Sequence, residues 1–513
     1  MRIIDFFDRG AERFPDNSCV SDGVQSWTYS QVQALSHGIG ATIRSLGVGD
    51  CKVAVLSPNH PLAYIAVLGI MRAGAVWVTL NAKATIAENE AIIEDMDAEV
   101  VLIHSDYLAH AGRIAALRAV RNVICLDASD HEVPSLLNLI DVEARVPDWP
   151  DSGLRAQVIM SSGGTTGRPK GVVQTVRVYE TMVATFRLCA PPNGCPRQLL
   201  VAPMSHAAGA ISWSYLADGA ETILLPNVKP IDILKAIEVY SVTHIFLPPT
   251  LIYVLLSLDE IRDFKYSSLQ NLFYAAAPMS SEKLREAIDV FGPVLTQTYG
   301  QAEANMICTF MSPQDHIEAL RPGHEHRLLS CGRASPLTRV EIMSEDGSLM
   351  PCDEVGEIVL RGGLIMGEYY RRPDATEDAS AFGWHHTGDL GRKDADGFVY
   401  IVGRKRDMII SGGFNIFPGE IEQVVWAHPA IRDCAVIGIP DEKWGEAVTA
   451  VVELREGAEV SAEEIIALCK LELGSIKAPK SVIFEASLPR SPVGKVLKKD
   501  IRARFWQGRE RQI

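Results

Sequence analysis

The sequence predicts an α/β protein: a large N-terminal region of helix-covered, parallel-rich sheets with a smaller antiparallel part, then a small α+β region. Three observations carry this. Apolar runs of strand length alternate with helical spacers up to Leu272-Phe273-Tyr274; after residue 330 strands are punctuated by Gly and Asp turns; and a compact mixed pattern begins at Arg404. At 513 residues the chain exceeds what one hydrophobic core organises, so two domains are expected, at 1–403 and 404–513.

Taken in order, Ser30 with Gln33 reads as a capping box, after which Val32, Leu35, Ile39, Ile43 and Leu46 recur on one helical face until Gly47. Val53-Ala54-Val55-Leu56 reads as a buried strand. Residues 61–80 are apolar enough to raise a membrane question, but Arg72 and the strand-like ending Val76-Trp77-Val78-Thr79-Leu80 make them a buried helix-to-strand crossover. Val100-Val101-Leu102-Ile103, Val123-Ile124-Cys125-Leu126, Val158-Ile159-Met160 and His244-Ile245-Phe246-Leu247 continue the series. Glu345-Asp346-Gly347 and Asp394-Ala395-Asp396-Gly397 mark the turns of the antiparallel region. There is no short-period repeat and no low-complexity tract.

Bulk properties narrow the function. A net charge of -15 argues against a nucleic-acid or anionic-membrane surface and leaves a small molecule as the partner. Ten scattered cysteines without a C-x-x-C pair indicate neither a zinc site nor a disulfide framework and fit a reducing, cytoplasmic setting. The N-terminal apolar residues are broken by charge too early for a signal peptide, and no integral membrane segment is expected. Homodimer formation is left open.

Ser161-Ser162-Gly163-Gly164-Thr165-Thr166-Gly167-Arg168-Pro169-Lys170-Gly171 is a phosphate-handling loop by composition. Glycines let backbone N–H groups converge on an anion, hydroxyls add donors, and Lys170 adds charge. The Walker A spacing fails, because after four intervening residues Gly163 is followed by Arg168 and Gly164 by Pro169, where Gly-Lys-Ser/Thr would have to begin. Near the C-terminus, Pro489-Arg490-Ser491-Pro492-Val493-Gly494-Lys495 is a proline-braced loop ending in a lysine, ahead of a basic amphipathic segment.

Together these segments resemble the adenylate-forming superfamily, which includes acyl-CoA synthetases, adenylation domains of peptide synthetases and firefly-type luciferases. Further segments match in the family's order: Pro203-Met204-Ser205-His206, Tyr299-Gly300-Gln301-Ala302-Glu303, Trp384-His385-His386-Thr387-Gly388-Asp389, Gly403-Arg404-Lys405-Arg406-Asp407, and the glycine-rich run from Ser411 to Glu422. The resemblance spans nearly the whole chain. It implies ATP, Mg2+ and coenzyme A as reactants or cofactors, and a C-terminal domain that moves.

Residue by residue, the resemblance implies the following. Ser162, Gly163, Gly164, Thr165, Thr166, Gly167 and Lys170 handle phosphate. Ala276, Ala277 and Pro278 line adenine, on which Tyr299 stacks while Gly300 permits close approach; Asp389 accepts from both ribose hydroxyls. Arg404 supports the nucleotide, Glu303 holds the metal, and Lys495 is catalytic because an ammonium bridging carboxylate and α-phosphate relieves the repulsion of two approaching anions. Arg406 is the hinge, where the family usually has Asp or Lys; rotation there withdraws Lys495 and brings Gly412 and Gly413 in to line a pantetheine channel. Trp444, Lys477 and Lys480 are weaker coenzyme A candidates, and Ala302 stands where Thr or Ser is common.

His206 is the expected gate between nucleotide and acid, with a catalytic contribution, and Ala207, Gly209, Ala210 and Trp213 form the expected acid pocket. No Asp lies between Pro203 and Ser214 to bind an ammonium, and no Arg or Lys to grip a second carboxylate. The expected substrate is a hydrophobic monocarboxylate, fatty or aryl/alicyclic, converted by an AMP-forming acid–CoA ligase. The rival readings are delivery to a carrier-protein pantetheine or another acceptor, and a catalytically silent nucleotide- or acyl-binding protein.

Overall fold

The computed structural model describes residues 1–46, 51–128, 132–149, 152–161, 170–225, 228–490 and 496–507. Two large sheets organise the N-terminal part. In one, the strands Asn122–Cys125, Val100–Ile103, Lys52–Leu56, Val76–Thr79 and Ala156–Ser161 run parallel in that spatial order, and Gly171–Thr175 and Glu368–Tyr369 add antiparallel at the edge. These strands read as near-continuous Val/Ile/Leu runs because helices cover both faces. In the other, Ser18–Ser21, Glu221–Leu224, Arg197–Leu200, His244–Phe246, Asn271–Tyr274 and Leu295–Gln301 are parallel neighbours, flanked by antiparallel strands.

One continuous core joins the two sheets. Val53, Trp77 and Leu102 from one, and Leu200, Phe246 and Phe273 from the other, share it with helices Tyr29–Ser45, Pro61–Ala73, Val176–Cys189 and Ala207–Trp213. Each fully buried Leu, Ile or Phe there stabilises by about 2 kcal/mol relative to exposure. Residues 61–80 are the expected crossover: helix Pro61–Ala73 ends at left-handed Gly74 and feeds strand Val76–Thr79, with Arg72 buried against Asp8. Among the described residues no helix is long and apolar enough to cross a membrane.

The expected capping box is displaced by two residues. Thr28, the last extended residue, caps helix Tyr29–Ser45 reciprocally with Gln31, whereas the Ser30 hydroxyl donates to Pro15 O at 3.0 Å and Gln33 to Asp8 at 2.9 Å. Both pairs have the spacing a capping box needs; the backbone turns helical at Tyr29, and that decides.

Beyond residue 330 the antiparallel texture is realised as a four-stranded sheet of Thr338–Met343, Gly356–Gly362, His385–Lys393 and Val399–Arg404. A short 3-10 turn, Lys405–Asp407, follows. The remaining chain forms a separate mixed sheet built on the long hairpin Ile431–Asp441/Gly445–Leu454, packed by helices Pro418–Trp426 and Ala462–Lys477.

Candidate functional site

In an open α/β sheet, ligands bind outside the carboxyl ends of the parallel strands. The gate segment follows Arg197–Leu200, the Ala275–Pro278 strip follows Asn271–Tyr274, and Tyr299–Gln301 ends its own strand. Parallel pairing therefore brings three sequence-distant motifs to one edge. Ala276 is exposed with φ of 75°, a left-handed conformation costly for alanine, so the strip is held in one bent shape at that edge.

Asp389 is the best-organised polar group there. Its carboxylate is almost wholly buried, accepts from the Tyr299 hydroxyl at 2.7 Å, and faces Arg404 Nε at 3.2 Å. Strand register explains the second contact, since Asp389 and Arg404 are directly paired across the antiparallel sheet. Burial, reinforced by the Asp389 charge, pushes the Tyr299 phenol well above its ordinary value, so it remains a proton donor. Tyr299 itself is buried. Gly300 is crowded by its own hairpin: a Cβ there would meet Met306 N at 2.5 Å and Ala304 O at 2.6 Å.

Glu303 lies beside the edge strand Glu368–Tyr369. The Tyr369 hydroxyl donates to Glu303 Oε1 at 2.8 Å, and Lys170 Nζ sits 4.8 Å from the Tyr369 ring centroid. Ala302 offers its carbonyl to Gln174 Nε2 at 2.8 Å. Burial and the neighbouring carboxylate raise the Tyr369 phenol, which keeps it a donor to Glu303. Among the described residues no cluster of three metal-ligating side chains exists. A single carboxylate fits Mg2+ all the same, because that ion is commonly held by one or two carboxylates together with substrate phosphates.

Ser162, Gly163, Gly164, Thr165, Thr166, Gly167 and Lys495 lie outside the described residues. Their flanks are described. Ser161 pairs with Gly171 across an antiparallel hairpin, and Arg490 bridges to Val496 while Leu497 N donates to Pro489 O at 2.8 Å. Arg490 is fixed by Asp433 at 2.7 Å and Glu453 at 3.1 Å.

At the expected gate, His206 precedes helix Ala207–Trp213 and its Nδ1 lies 2.9 Å from Ser205 Oγ. Burial lowers the imidazole pKa, favouring the neutral ring. Ala207 is half-buried, and Ala208 and Ala210 are buried. A Cβ on Gly209 would lie 1.9 Å from Met204 O, so this glycine fixes the turn that carries His206. Trp213 is buried in the shared core, edge-on to Trp77 at 5.7 Å and Tyr179 at 5.6 Å.

On either side of the expected hinge, Arg404 pairs with Asp389 and Asp407 with Arg502 at 2.9 Å. Burial opposes the Asp407 charge, but Lys498 and Arg502 outweigh it and hold the carboxyl below its usual range. Arg406 is pulled down by burial and by Arg404. Gly412 and Gly413 are exposed between strands Ile409–Ser411 and Phe414–Ile416. Trp444 lies against Gly412, with Lys443 Nζ 4.8 Å and Lys480 Nζ 5.5 Å from its ring. Lys477 instead pairs with Glu420 at 2.6 Å.

Tyr369 escaped the reading of the sequence. It is 66 residues from Glu303, and nothing local in Gly367-Glu368-Tyr369-Tyr370 announces a partner.

With this geometry in view, residues 7–370 match the family model for AMP-binding enzymes and residues 420–495 that for the AMP-binding enzyme C-terminal domain. A medium/long-chain-fatty-acid–CoA ligase of Mycobacterium tuberculosis is 37% identical over 91% of this chain and 84% of its own. A feruloyl-CoA synthase of an Amycolatopsis species is 34% identical over 97% and 98%. Among solved structures, the amide bond synthetase McbA of Marinactinospora thermotolerans superposes with a TM-score of 0.89 at 27% identity, covering 98% of this chain and 100% of that one. ATP-bound MatB of Rhodopseudomonas palustris gives 0.88 at 26%, covering 98% and 99%. The chain belongs to the AMP-binding enzymes, the adenylate-forming superfamily that includes acyl-CoA synthetases.

Proposed function

We propose that this AMP-binding enzyme is an acyl-CoA synthetase that activates a hydrophobic monocarboxylate, fatty or aryl, as its acyl-adenylate and then transfers the acyl group to coenzyme A. The observation that carries the reading is the buried Asp389 held between Tyr299 and Arg404, two acceptor oxygens fixed at the carboxyl edge where a ribose diol would bind. Supporting the acid class, the stretch 203–214 that contains the gate and the residues after it has no charged side chain apart from the neutral-leaning His206, and relatives are named for fatty and feruloyl substrates.

The residues divide the work as follows. A carboxylate is a poor electrophile, and adenylation gives it a leaving group. Lys495 meets the two anions as they approach, and the hydroxyl- and glycine-rich segment 162–167 with Lys170 holds the phosphates. Glu303, oriented by Tyr369, would hold Mg2+, which supplies charge neutralisation on the phosphates. His206 and the alanines after it orient the acid. For the second step the region 404–513 turns about Arg406, and Gly412 and Gly413 line the thiol's approach with Trp444, Lys443 and Lys480 beside it.

A second reading has one specific support, the similarity to an amide bond synthetase: the adenylate is passed to an acceptor other than coenzyme A. One assay separates them. Pyrophosphate release is measured against a panel of fatty and aryl acids, and AMP release then with coenzyme A or with amines. Acid-dependent pyrophosphate release with coenzyme A-dependent AMP release is expected; AMP release that responds to amines and ignores coenzyme A would select the second reading, and no acid-dependent release would reject both.

A further inference from the structure

The gate segment belongs to the nine-stranded sheet, yet its backbone is held by a side chain from the other sheet. Asn59 follows strand Lys52–Leu56 of the seven-stranded sheet. Its Nδ2 donates to Ala202 O at 3.0 Å and to Leu200 O at 3.3 Å, and its Oδ1 accepts from Met204 N at 2.8 Å. All three partners lie within six residues before His206. A second tie sits beyond the gate, where Tyr64 and Ser212 hydroxyls are 2.9 Å apart in the core. Asn59 and Tyr64 share a firm base: helix Pro61–Ala73, in which twelve of thirteen residues are buried, so the support cannot shift without opening the core. The His60 ring, next to Asn59, packs edge-on against His104 at 4.9 Å and holds the loop itself.

We propose that Asn59 is a positioning residue for the acid-pocket gate. The inference rests on the reading of 203–210 as that gate. Only an amide suits the place. A carbonyl oxygen must meet the Met204 N–H while a donor meets two main-chain carbonyls, and an aspartate would keep the first contact but set a charge against the other two. The Met204 carbonyl packs against Gly209 Cα, so the position of Met204 passes directly to the turn that carries His206. Asn59 thereby fixes where the acid carboxylate is presented, while the Tyr299–Asp389–Arg404 group lies on other strands and does not depend on it.

The test compares wild type with Asn59→Ala, Asn59→Asp and Tyr64→Phe in the full-length enzyme. Amide hydrogen exchange is followed by mass spectrometry, KM is measured for octanoate and for ferulate, and ATP affinity by calorimetry. Both Asn59 variants should raise KM for the acid by about tenfold or more, since small misplacement of a reacting group is costly, with ATP affinity within about twofold of wild type. Peptides covering 202–206 should exchange faster while those covering 295–301 do not change. Tyr64→Phe, which loses one tie and no volume, should show the same pattern more weakly and serves if the Asn59 variants do not fold. Unaltered exchange at 202–206, or acid and ATP affinity falling by the same factor, overturns the proposal. If wild type turns over neither acid, the reading of these acids as substrates fails, and the exchange pattern alone decides whether Asn59 anchors the segment.

Discussion

Replacing Tyr299 with Phe removes one oxygen and nothing else from the buried end of the proposed nucleotide edge. The lost bond is a hydroxyl donating at 2.7 Å to Asp389 Oδ2, and Asp389 is only 6% exposed, so water cannot readily take its place. A hydrogen bond to a charged group contributes about 1.5–3 kcal/mol. Arg404 still holds the other oxygen at 3.2 Å, through a side chain that is 39% exposed and therefore partly screened. If Asp389 is the ribose acceptor, its loosened carboxylate presents worse geometry to the diol, and that energy sets the upper limit of the loss, a nucleotide affinity weaker by at most roughly 10- to 150-fold at 1.4 kcal/mol per decade. Calorimetric titration with a non-hydrolysable ATP analogue measures this directly, with Arg404→Gln as a milder companion. An affinity within twofold of wild type for Tyr299→Phe, in a protein that melts normally, would refute the assignment of Asp389.

Lys495→Ala should lose most acyl-adenylate formation yet still convert supplied acyl-adenylate and coenzyme A to thioester; equal losses in both half-reactions would end the proposed division of labour. Gly209→Ala places a Cβ 1.9 Å from Met204 O and should destabilise by about 3 kcal/mol through overpacking, seen as a lowered denaturant midpoint; an unchanged midpoint would mean the turn is slack. Burial pushes His244, His316 and His385 down to about 4, so between pH 6.5 and 4 the unfolded chain binds protons that the folded chain refuses, and stability falls as pH falls. The loss should approach about 2 kcal/mol per histidine by pH 5, and His316→Gln should flatten the slope of urea midpoint against pH; a slope unchanged by that substitution would contradict it.

What the sequence determined by itself is what short-range chemistry encodes. The strands at Val53, Val100, His244 and Leu272 were legible because strands buried on both faces must be largely apolar, and the helix-to-strand crossover at 61–80 because Arg72 and the strand-like ending Val76-Trp77-Val78-Thr79-Leu80 set it apart from a membrane span. Gly-Asp turns announced the antiparallel sheet in the same way. The family's motifs, each contiguous, named Asp389, Glu303 and Arg404 as residues to watch. Tertiary structure alone decided what those residues touch. Tyr299 reaches Asp389 across 90 positions, Tyr369 reaches Glu303 across 66, and Asn59 reaches Met204 across 145. Such pairings depend on strand order and register, which no local pattern specifies. The same holds for direction: Gly209 and Trp213 stand in a run that reads as a cavity wall, but the fold aims Gly209 at a backbone carbonyl and buries the indole between Trp77 and Tyr179. Composition records that a site is small and apolar. Only packing of one sheet on another settles which of its atoms face the ligand and which face the core.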